Sequence, residues 1–161
     1  MINVFITNLA KYNEGELVGQ WVTLPLPPEE LDEVIEEILG DDEEYFITDY
    51  ECEFMEVPEY CNIHELNELA EELDSLSEHE QKKVKAILEM GAYRDIEEAI
   101  ANRDSYYLEE SINSERDLAW YLLDEVFTEI PDFIKGYIDL DRFVRDYSDG
   151  YISEYGYITE C

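Results

Sequence analysis

Basic residues are scarce in this chain of 161 residues. It has 10 Lys and Arg against 43 Asp and Glu, which gives a formal net charge of −33. A protein that holds nucleic acid by displacing counterions from the phosphates needs cationic side chains in quantity. The composition therefore excludes direct nucleic-acid binding of that kind and favours a partner that carries a basic surface.

Cysteine and long apolar segments are also few. Cys52, Cys61 and Cys161 are an odd number with no CxxC spacing, which favours neither a disulfide framework nor a zinc site. No segment approaches the roughly 18 apolar residues of a membrane span. The start of the chain lacks the basic segment of a signal peptide. We therefore expect a cytoplasmic protein with reduced thiols and no membrane association.

Motifs for catalysis, metals and cofactors are absent. There is no GxSxG, no Walker loop and no GxGxxG. The segment from His64 to Glu68 resembles HExxH but ends in Glu, and the segment from His79 fails in the same way. Neither Asp139 nor Asp146 begins a loop with the ligand spacing of an EF-hand. We expect no enzymatic activity, no metal site and no cofactor.

Apolar residues are present in sufficient number for a folded protein. They make up 45% of the chain, and 13% of the residues are aromatic, whereas acidic disordered tails have few aromatics. The pattern predicts an α+β fold, built as an elongated chain of three small modules. These are an α+β module with a short antiparallel sheet at 1–60, a helical module at 61–103 and a second α+β module at 104–161.

Local patterns predict the elements of the first module. Ile2, Val4 and Ile6 alternate with Asn3, Phe5 and Thr7, which is the period of a strand. Residues 17–24 and 45–50 are the second and third strand candidates. Between the second and third strands, Pro27-Pro28 opens a helix and Gly40 ends it.

Capping residues mark most helices of the rest of the chain. Asn62, Ser77 and Asp95 precede helices predicted over 63–73, 78–90 and 96–102. Ser114 caps a helix that we expect to continue to about Phe127. The other predicted elements are a strand at 105–108, a short helix from Pro131, a helix at 139–147 and one closing strand at 151–159.

Uncompensated negative charge is the strongest feature of the sequence. In the helix after Pro28, acids occupy every position outside the apolar stripe, and no Lys or Arg occurs between Lys11 and Lys82. Like charges four residues apart cost about 0.2–0.5 kcal/mol per pair. B-DNA carries about one charge per 1.7 Å, so that 33 charges correspond to roughly 56 Å of duplex. DNA mimicry explains this charge, while an acidic chaperone for basic proteins and a salt-adapted proteome remain open.

One sequence motif in the first module is similar to a known protein family. The string Tyr-Asn-Glu-Gly-Glu-Leu-Val-Gly-Gln-Trp at Tyr12–Trp21 resembles the ArdA antirestriction family. Further similarity extends over nearly the whole chain, in Asp49-Tyr50-Glu51, Ile63–Asn67, Asp117–Tyr121, Ile130–Asp139 and Arg145-Asp146. The resemblance implies an elongated homodimer of three modules, carried by mobile elements, that mimics bent B-DNA. It also implies the partner, a type I restriction-modification enzyme, bound as methyltransferase core or holoenzyme.

Two groups of carboxylates are candidates for phosphate-mimicking contacts. The charge pattern indicates the first group, which comprises Glu29, Glu30, Glu33, Glu36, Glu37, Asp41 and Asp42. The resemblance implies the second, because the family's antirestriction motif would cover roughly Trp120 to Asp141. That group comprises Asp124, Glu125, Glu129, Asp132, Asp139 and Asp141. Helix capping is an alternative role for these acids, since a first-turn carboxylate is favoured by the helix dipole.

Aromatic residues allow two further predictions. In the motif at Tyr12–Trp21 we expect Gly15 and Gly19 to permit a turn or bulge, and Trp21 to anchor the core. A contact site is the alternative for this motif. Four aromatic residues are candidates for the dimer contact, because aromatic side chains are enriched at protein interfaces. We expect at least two of the four to pack in the core instead. The four are Tyr106, Tyr107, Trp120 and Tyr121.

Overall fold

The computed structural model describes residues 1–161, which divide into two compact units. The N-terminal unit comprises Met1–Ser77 and the C-terminal unit comprises Glu78–Cys161. Each unit contains helices and one three-stranded antiparallel sheet, which confirms the predicted α+β class. The division into three modules stays a prediction.

The sheet of the N-terminal unit has the order β2-β1-β3. Its strands are β1 (Ile2–Asn8), β2 (Gly19–Leu24) and β3 (Tyr45–Glu51), close to the predicted ranges. Ile2, Val4 and Ile6 of β1 are completely buried, since alternate residues of a strand face the same side. One face of this sheet therefore forms the core of the unit.

Three helices complete the N-terminal unit. The helix α2 (Pro28–Leu39) begins and ends as predicted, and Gly40 follows it with a φ of +56°. The helix α3 (Ile63–Ser75) begins after Asn62, whose side chain accepts a hydrogen bond from the His64 backbone N–H. The helix α1 (Leu9–Asn13) was not predicted, because five residues are too few to show a helical period.

A buried amide holds α3 to the segment that precedes α2. The Leu26 backbone N–H donates to Asn67 Oδ1 at 2.8 Å, and Asn67 Nδ2 donates to the Leu26 carbonyl, also at 2.8 Å. Asn67 is 5% exposed, so that water cannot readily replace these bonds. The two longer helices of the unit are thereby fixed on the same scaffold.

The C-terminal unit has more and shorter elements. Its sheet has the order β4-β6-β5, and its core includes Leu118, Leu122, Val144 and Tyr157. The elements are α4 (Glu78–Met90), α5 (Ile96–Ala101), a 3-10 turn (Arg103–Ser105), β4 (Tyr106–Glu109), α6 (Glu115–Tyr121), a π-helix (Leu122–Val126), α7 (Asp132–Lys135), α8 (Leu140–Tyr147), β5 (Tyr151–Ser153) and β6 (Gly156–Glu160).

Two predictions for this unit need correction. The single closing strand at 151–159 is wrong, because the chain reverses after Ser153 and forms a hairpin of β5 and β6. Gly156 has a φ of +133° there, a conformation that glycine permits and other residues rarely adopt. The helix after Ser114 does continue towards Phe127, but from Leu122 it widens into a π-helix.

No helix of the chain combines the length and the apolar character that crossing a membrane would require.

Candidate functional site

The helix α2 presents a continuous carboxylate face. Leu31 and Ile38 are its buried residues, whereas its acids are all exposed. At about 100° per residue these acids cover an arc of roughly 160°, on the side away from the core. We call this set the α2 carboxylate face, and it comprises Glu29, Glu30, Asp32, Glu33, Glu36 and Glu37.

Cations of the chain hardly neutralise this face. Lys11 is the only Lys or Arg in the N-terminal unit, which has 22 Asp and Glu. Its Nζ lies 3.1 Å from Glu14 Oε2, and this bond raises the pKa of Lys11. The nearest basic group to the α2 carboxylate face is His64, whose Nε2 lies 3.5 Å from Asp32 Oδ1. The charge of the face is therefore available to a partner.

Further exposed carboxylates lie on α3, next to the α2 carboxylate face. The His64 contact places the first turn of α3 beside Asp32, and α3 has its own exposed acids at Glu65, Glu68 and Glu72. The sequence did not assign these three to the site. Their spacing of three or four residues, with buried Leu66 and Leu69 in between, is the signal that would have found them.

The two acids after α2 have different environments. Asp41 is exposed. Asp42 is half-buried, and its Oδ2 accepts a hydrogen bond of 3.0 Å from Asn8 Nδ2. That same Nδ2 lies 3.2 Å from the Ile38 carbonyl oxygen. Asp42 therefore helps to fix the end of α2 as well as adding charge.

The C-terminal candidates are partly neutralised within the chain. Lys135 Nζ lies 2.6 Å from Asp124 Oδ1 and 3.0 Å from Asp132 Oδ1, and both bonds raise the pKa of Lys135. Asp139 caps α8 by accepting a hydrogen bond from the Arg142 backbone N–H. The remaining candidates are exposed without an ion-pair partner, and they are Glu125, Glu129 and Asp141.

The four aromatic candidates for a dimer contact lie in different environments. Tyr106 is buried, with its ring 6.3 Å from that of Tyr93, and Tyr121 packs against the core of the unit. Tyr107 is 51% exposed and Trp120 is 37% exposed. Only the last two present substantial surface, and the homodimer stays a prediction.

The predicted role of Trp21 as a core anchor is wrong. Trp21 is 49% exposed, whereas the next residue, Val22, is buried. Because Val22 and Leu24 face the core, the alternation of the strand turns Trp21 to the opposite face. The expectation for Gly15 holds, because it has a φ of +88° in a turn. For Gly19 the expected turn or bulge is wrong: Gly19 is paired with Thr7 in β2, and a Cβ there would collide with the Ile6 carbonyl oxygen.

A compact ionic cluster joins α4 of the C-terminal unit to Glu110, which follows β4. Glu110 Oε2 accepts from Lys82 Nζ at 2.8 Å, and Glu110 Oε1 lies 2.6 Å from His79 Nδ1. Lys82 Nζ also lies 3.0 Å from Glu78 Oε1. The Lys82 bond and then the His79 bond lower the pKa of Glu110 below its ordinary value of 4.5.

Glu110 should therefore contribute to acid stability. A carboxyl whose pKa is lower in the folded state stabilises that state above its ordinary pKa and stops doing so as the pH falls. We expect the melting temperature of wild type to exceed that of Glu110→Gln at pH 6, and the difference to close as the pH falls below 4.5. Glu129→Gln, which removes an exposed carboxylate without an ion-pair partner, is the control, and an equal pH dependence of both variants would contradict the assignment.

No group of three or more His, Cys, Asp or Glu side chains is arranged to hold a metal ion.

Comparison with protein families gives a match over almost the entire chain. The profile of the family described as "Antirestriction protein (ArdA)" matches residues 4–159. A comparison with curated proteins gives no match.

Proposed function

The chain belongs to the ArdA family of antirestriction proteins, and from that premise we propose that it acts as a mimic of B-DNA. It occupies the DNA-binding groove of a type I restriction-modification enzyme, as methyltransferase core or as holoenzyme. In the cytoplasm of a newly entered host it thereby protects incoming mobile DNA. It binds the enzyme and not the DNA.

The α2 carboxylate face is the observation that carries this proposal. Glu29 and Glu37 are eight residues apart, which is about 12 Å along a helix. Six carboxylates in that length give about one charge per 2 Å, close to the one charge per 1.7 Å of duplex DNA. A basic groove that accommodates a duplex therefore meets a similar linear charge density on this helix.

Rigidity of the scaffold supports mimicry over loose polyanion binding. Asn8 Nδ2 donates to the Ile38 carbonyl oxygen and to Asp42 Oδ2, which fixes the end of α2. The buried Asn67 amide fixes the neighbouring α3 to Leu26, just before α2. Charges held in position lose little conformational entropy when they meet a groove of fixed shape. A chaperone for many basic proteins has no need of such fixed carboxylates.

Salt dependence tests the proposal. Counterion release predicts a slope of about −0.9 in log K against log salt concentration for each phosphate-like contact. Engagement of the six acids of the α2 carboxylate face therefore gives a slope of about −5, or a loss of about a thousandfold between 50 and 200 mM salt. Titration calorimetry with purified methyltransferase core measures this, and an affinity independent of salt would contradict mimicry.

Stoichiometry separates the mimic from the acidic chaperone. We expect one defined complex with the methyltransferase core in analytical ultracentrifugation, and no comparable complex with histones or lysozyme at physiological salt. Heterogeneous complexes with all of these basic proteins would favour the chaperone.

A further inference from the structure

The open face of the N-terminal sheet carries a groove that the carboxylate argument does not use. Its volume is about 450 Å³. Its walls combine aromatic and apolar side chains with two carboxylates. We call it the Trp21 groove, and it is lined by Phe5, Tyr12, Leu17, Trp21, Asp49 and Glu59.

The register of the sheet places a ring and a carboxylate on either side of Phe5. Phe5 is paired with Trp21 on β2 and with Asp49 on β3, and residues directly opposite in antiparallel strands point to the same face. The register of β1 and β3 shifts between Phe5 and Ile6, which leaves Thr48 as an extra residue beside Asp49, and both residues line the groove. The rings of Phe5 and Trp21 meet edge to face, with their centroids 5.6 Å apart. The floor of the groove is therefore one row of side chains across three strands.

The aromatic and apolar walls are exposed to a degree that the fold does not require. Leu17 is 69% exposed, Tyr12 is 52% exposed and Trp21 is 49% exposed. Their burial would stabilise a complex, because each of these side chains removes a large apolar area from water. Exposed groups of this size in one place mark an interaction surface.

The two carboxylates of the groove, Asp49 and Glu59, favour a positively charged occupant. Asp49 accepts a hydrogen bond only from the Tyr50 backbone N–H, and no cation of the chain lies within ion-pair distance of Asp49 or Glu59. A second copy would bring either another N-terminal unit, with 22 acids and one Lys, or a C-terminal unit, with 21 acids and nine Lys and Arg. The net negative charge of both units would oppose that contact. Charge complementarity therefore calls for a cation.

We propose that the Trp21 groove binds an arginine side chain of the partner enzyme, in a contact additional to the phosphate-mimicking carboxylates. Guanidinium is planar, stacks on aromatic faces and pairs with carboxylates in a fixed geometry, which a lysine ammonium does not reproduce. Trp21 supplies the aromatic face and Asp49 the carboxylate. The identity of the partner rests on the proposed function, whereas the chemistry of the groove does not.

A small probe tests the groove without the enzyme. The peptide acetyl-Gly-Arg-Gly-amide is titrated into the full chain, and the indole N–H resonances are followed by NMR. We expect the Trp21 resonance, assigned with Trp21→Phe, to shift in a saturable manner, and the Trp120 resonance to serve as the internal control. The citrulline peptide, which lacks the charge, should shift it at least tenfold less at equal concentration. Equal shifts with both peptides, or none, would overturn the proposal.

Variants test the same contact in the complex. Trp21→Ala should weaken binding to the methyltransferase core about tenfold at both 50 and 200 mM salt, because the lost contact is mainly apolar and aromatic. Trp21→Phe should restore most of the affinity, which separates ring contact from a folding defect. Wild-type affinity of Trp21→Ala would overturn the proposal.

The carboxylate has a matched control. Asp49→Asn removes one charge but retains an oxygen for the Tyr50 N–H. Glu56→Gln also removes one charge, at an exposed position outside the groove, and serves as the control. We expect Asp49→Asn to weaken binding at least threefold more than Glu56→Gln does, and equal losses would overturn the role of Asp49. Binding of the arginine peptide by a protein that fails to bind the enzyme would contradict the proposed function but leave the groove assignment standing.

Discussion

We expect the quadruple variant Glu29→Gln, Glu33→Gln, Glu36→Gln, Glu37→Gln to lose about three and a half orders of magnitude in affinity for the methyltransferase core at 0.1 M salt. Each phosphate-like contact contributes about 0.9 to the slope of log K against log salt concentration, so that four lost contacts lower that slope by about 3.6. Because 0.1 M lies one decade below the 1 M reference, this change in slope equals the change in log K at 0.1 M. Titration calorimetry at several salt concentrations measures both the affinity and the slope.

The same variant should be more stable than wild type. Glu33 lies three or four residues from each of the other three positions, and like charges at those spacings destabilise a helix by about 0.2–0.5 kcal/mol per pair. Their removal should raise the free energy of unfolding by about 1 kcal/mol. A gain in stability together with a loss of binding would show that the acids serve the partner and not the fold.

A control variant separates position from net charge. The control variant also loses four negative charges, but from exposed positions of the C-terminal unit. Its substitutions are Glu97→Gln, Glu98→Gln, Glu115→Gln and Glu154→Gln. We expect a loss of affinity at least thirtyfold smaller than that of the α2 variant. Equal losses would contradict the assignment of the α2 carboxylate face and indicate that net charge alone acts at a distance.

Asn67→Ala should have the largest effect on stability. The substitution removes both hydrogen bonds to Leu26 and leaves a part-buried backbone N–H and C=O without these partners. Each lost bond costs about 1 kcal/mol, and each orphaned group adds to that, so that we expect a loss of about 3 kcal/mol. For a unit of this size the melting temperature should fall by about 10 °C or more.

The neighbouring residue provides the control for Asn67. Glu68 is exposed on the same turn of α3, and Glu68→Gln should leave the melting temperature within about 3 °C of wild type, since exposed substitutions change stability little. A calorimetric melt of both variants decides the matter. A loss below 1 kcal/mol for Asn67→Ala would contradict the role of the amide in holding α3.

Local signals in the sequence were sufficient for most of the secondary structure. Asn62, Asp95 and Ser114 cap their helices through hydrogen bonds to backbone N–H groups, as predicted from spacing alone. Gly40 ends α2 because its positive φ stops the helix. The exposed acids of α2 follow from the same periodicity, since a helix with one apolar stripe presents its remaining positions to water.

Long-range contacts were beyond the reach of these local signals. Asn67 and Leu26 are 41 residues apart, and nothing near either residue indicates the pairing. The interpretation of Trp21 failed because a large aromatic residue was assigned to the core by type, while the alternation of Val22 and Leu24 already placed it on the other face. The neutralisation of Asp124 by Lys135 likewise depends on tertiary geometry.

Competition with DNA tests the central claim most directly. A labelled duplex that carries the recognition site is bound to purified type I methyltransferase core, and the full chain is titrated in while fluorescence anisotropy reports the bound DNA. If the protein occupies the DNA groove, near-stoichiometric amounts should release the duplex, higher DNA concentrations should shift the curve in proportion, and the protein alone should not bind the duplex. Retention of the duplex at a large excess of protein, with a ternary complex of enzyme, DNA and protein, would contradict the mimicry of DNA.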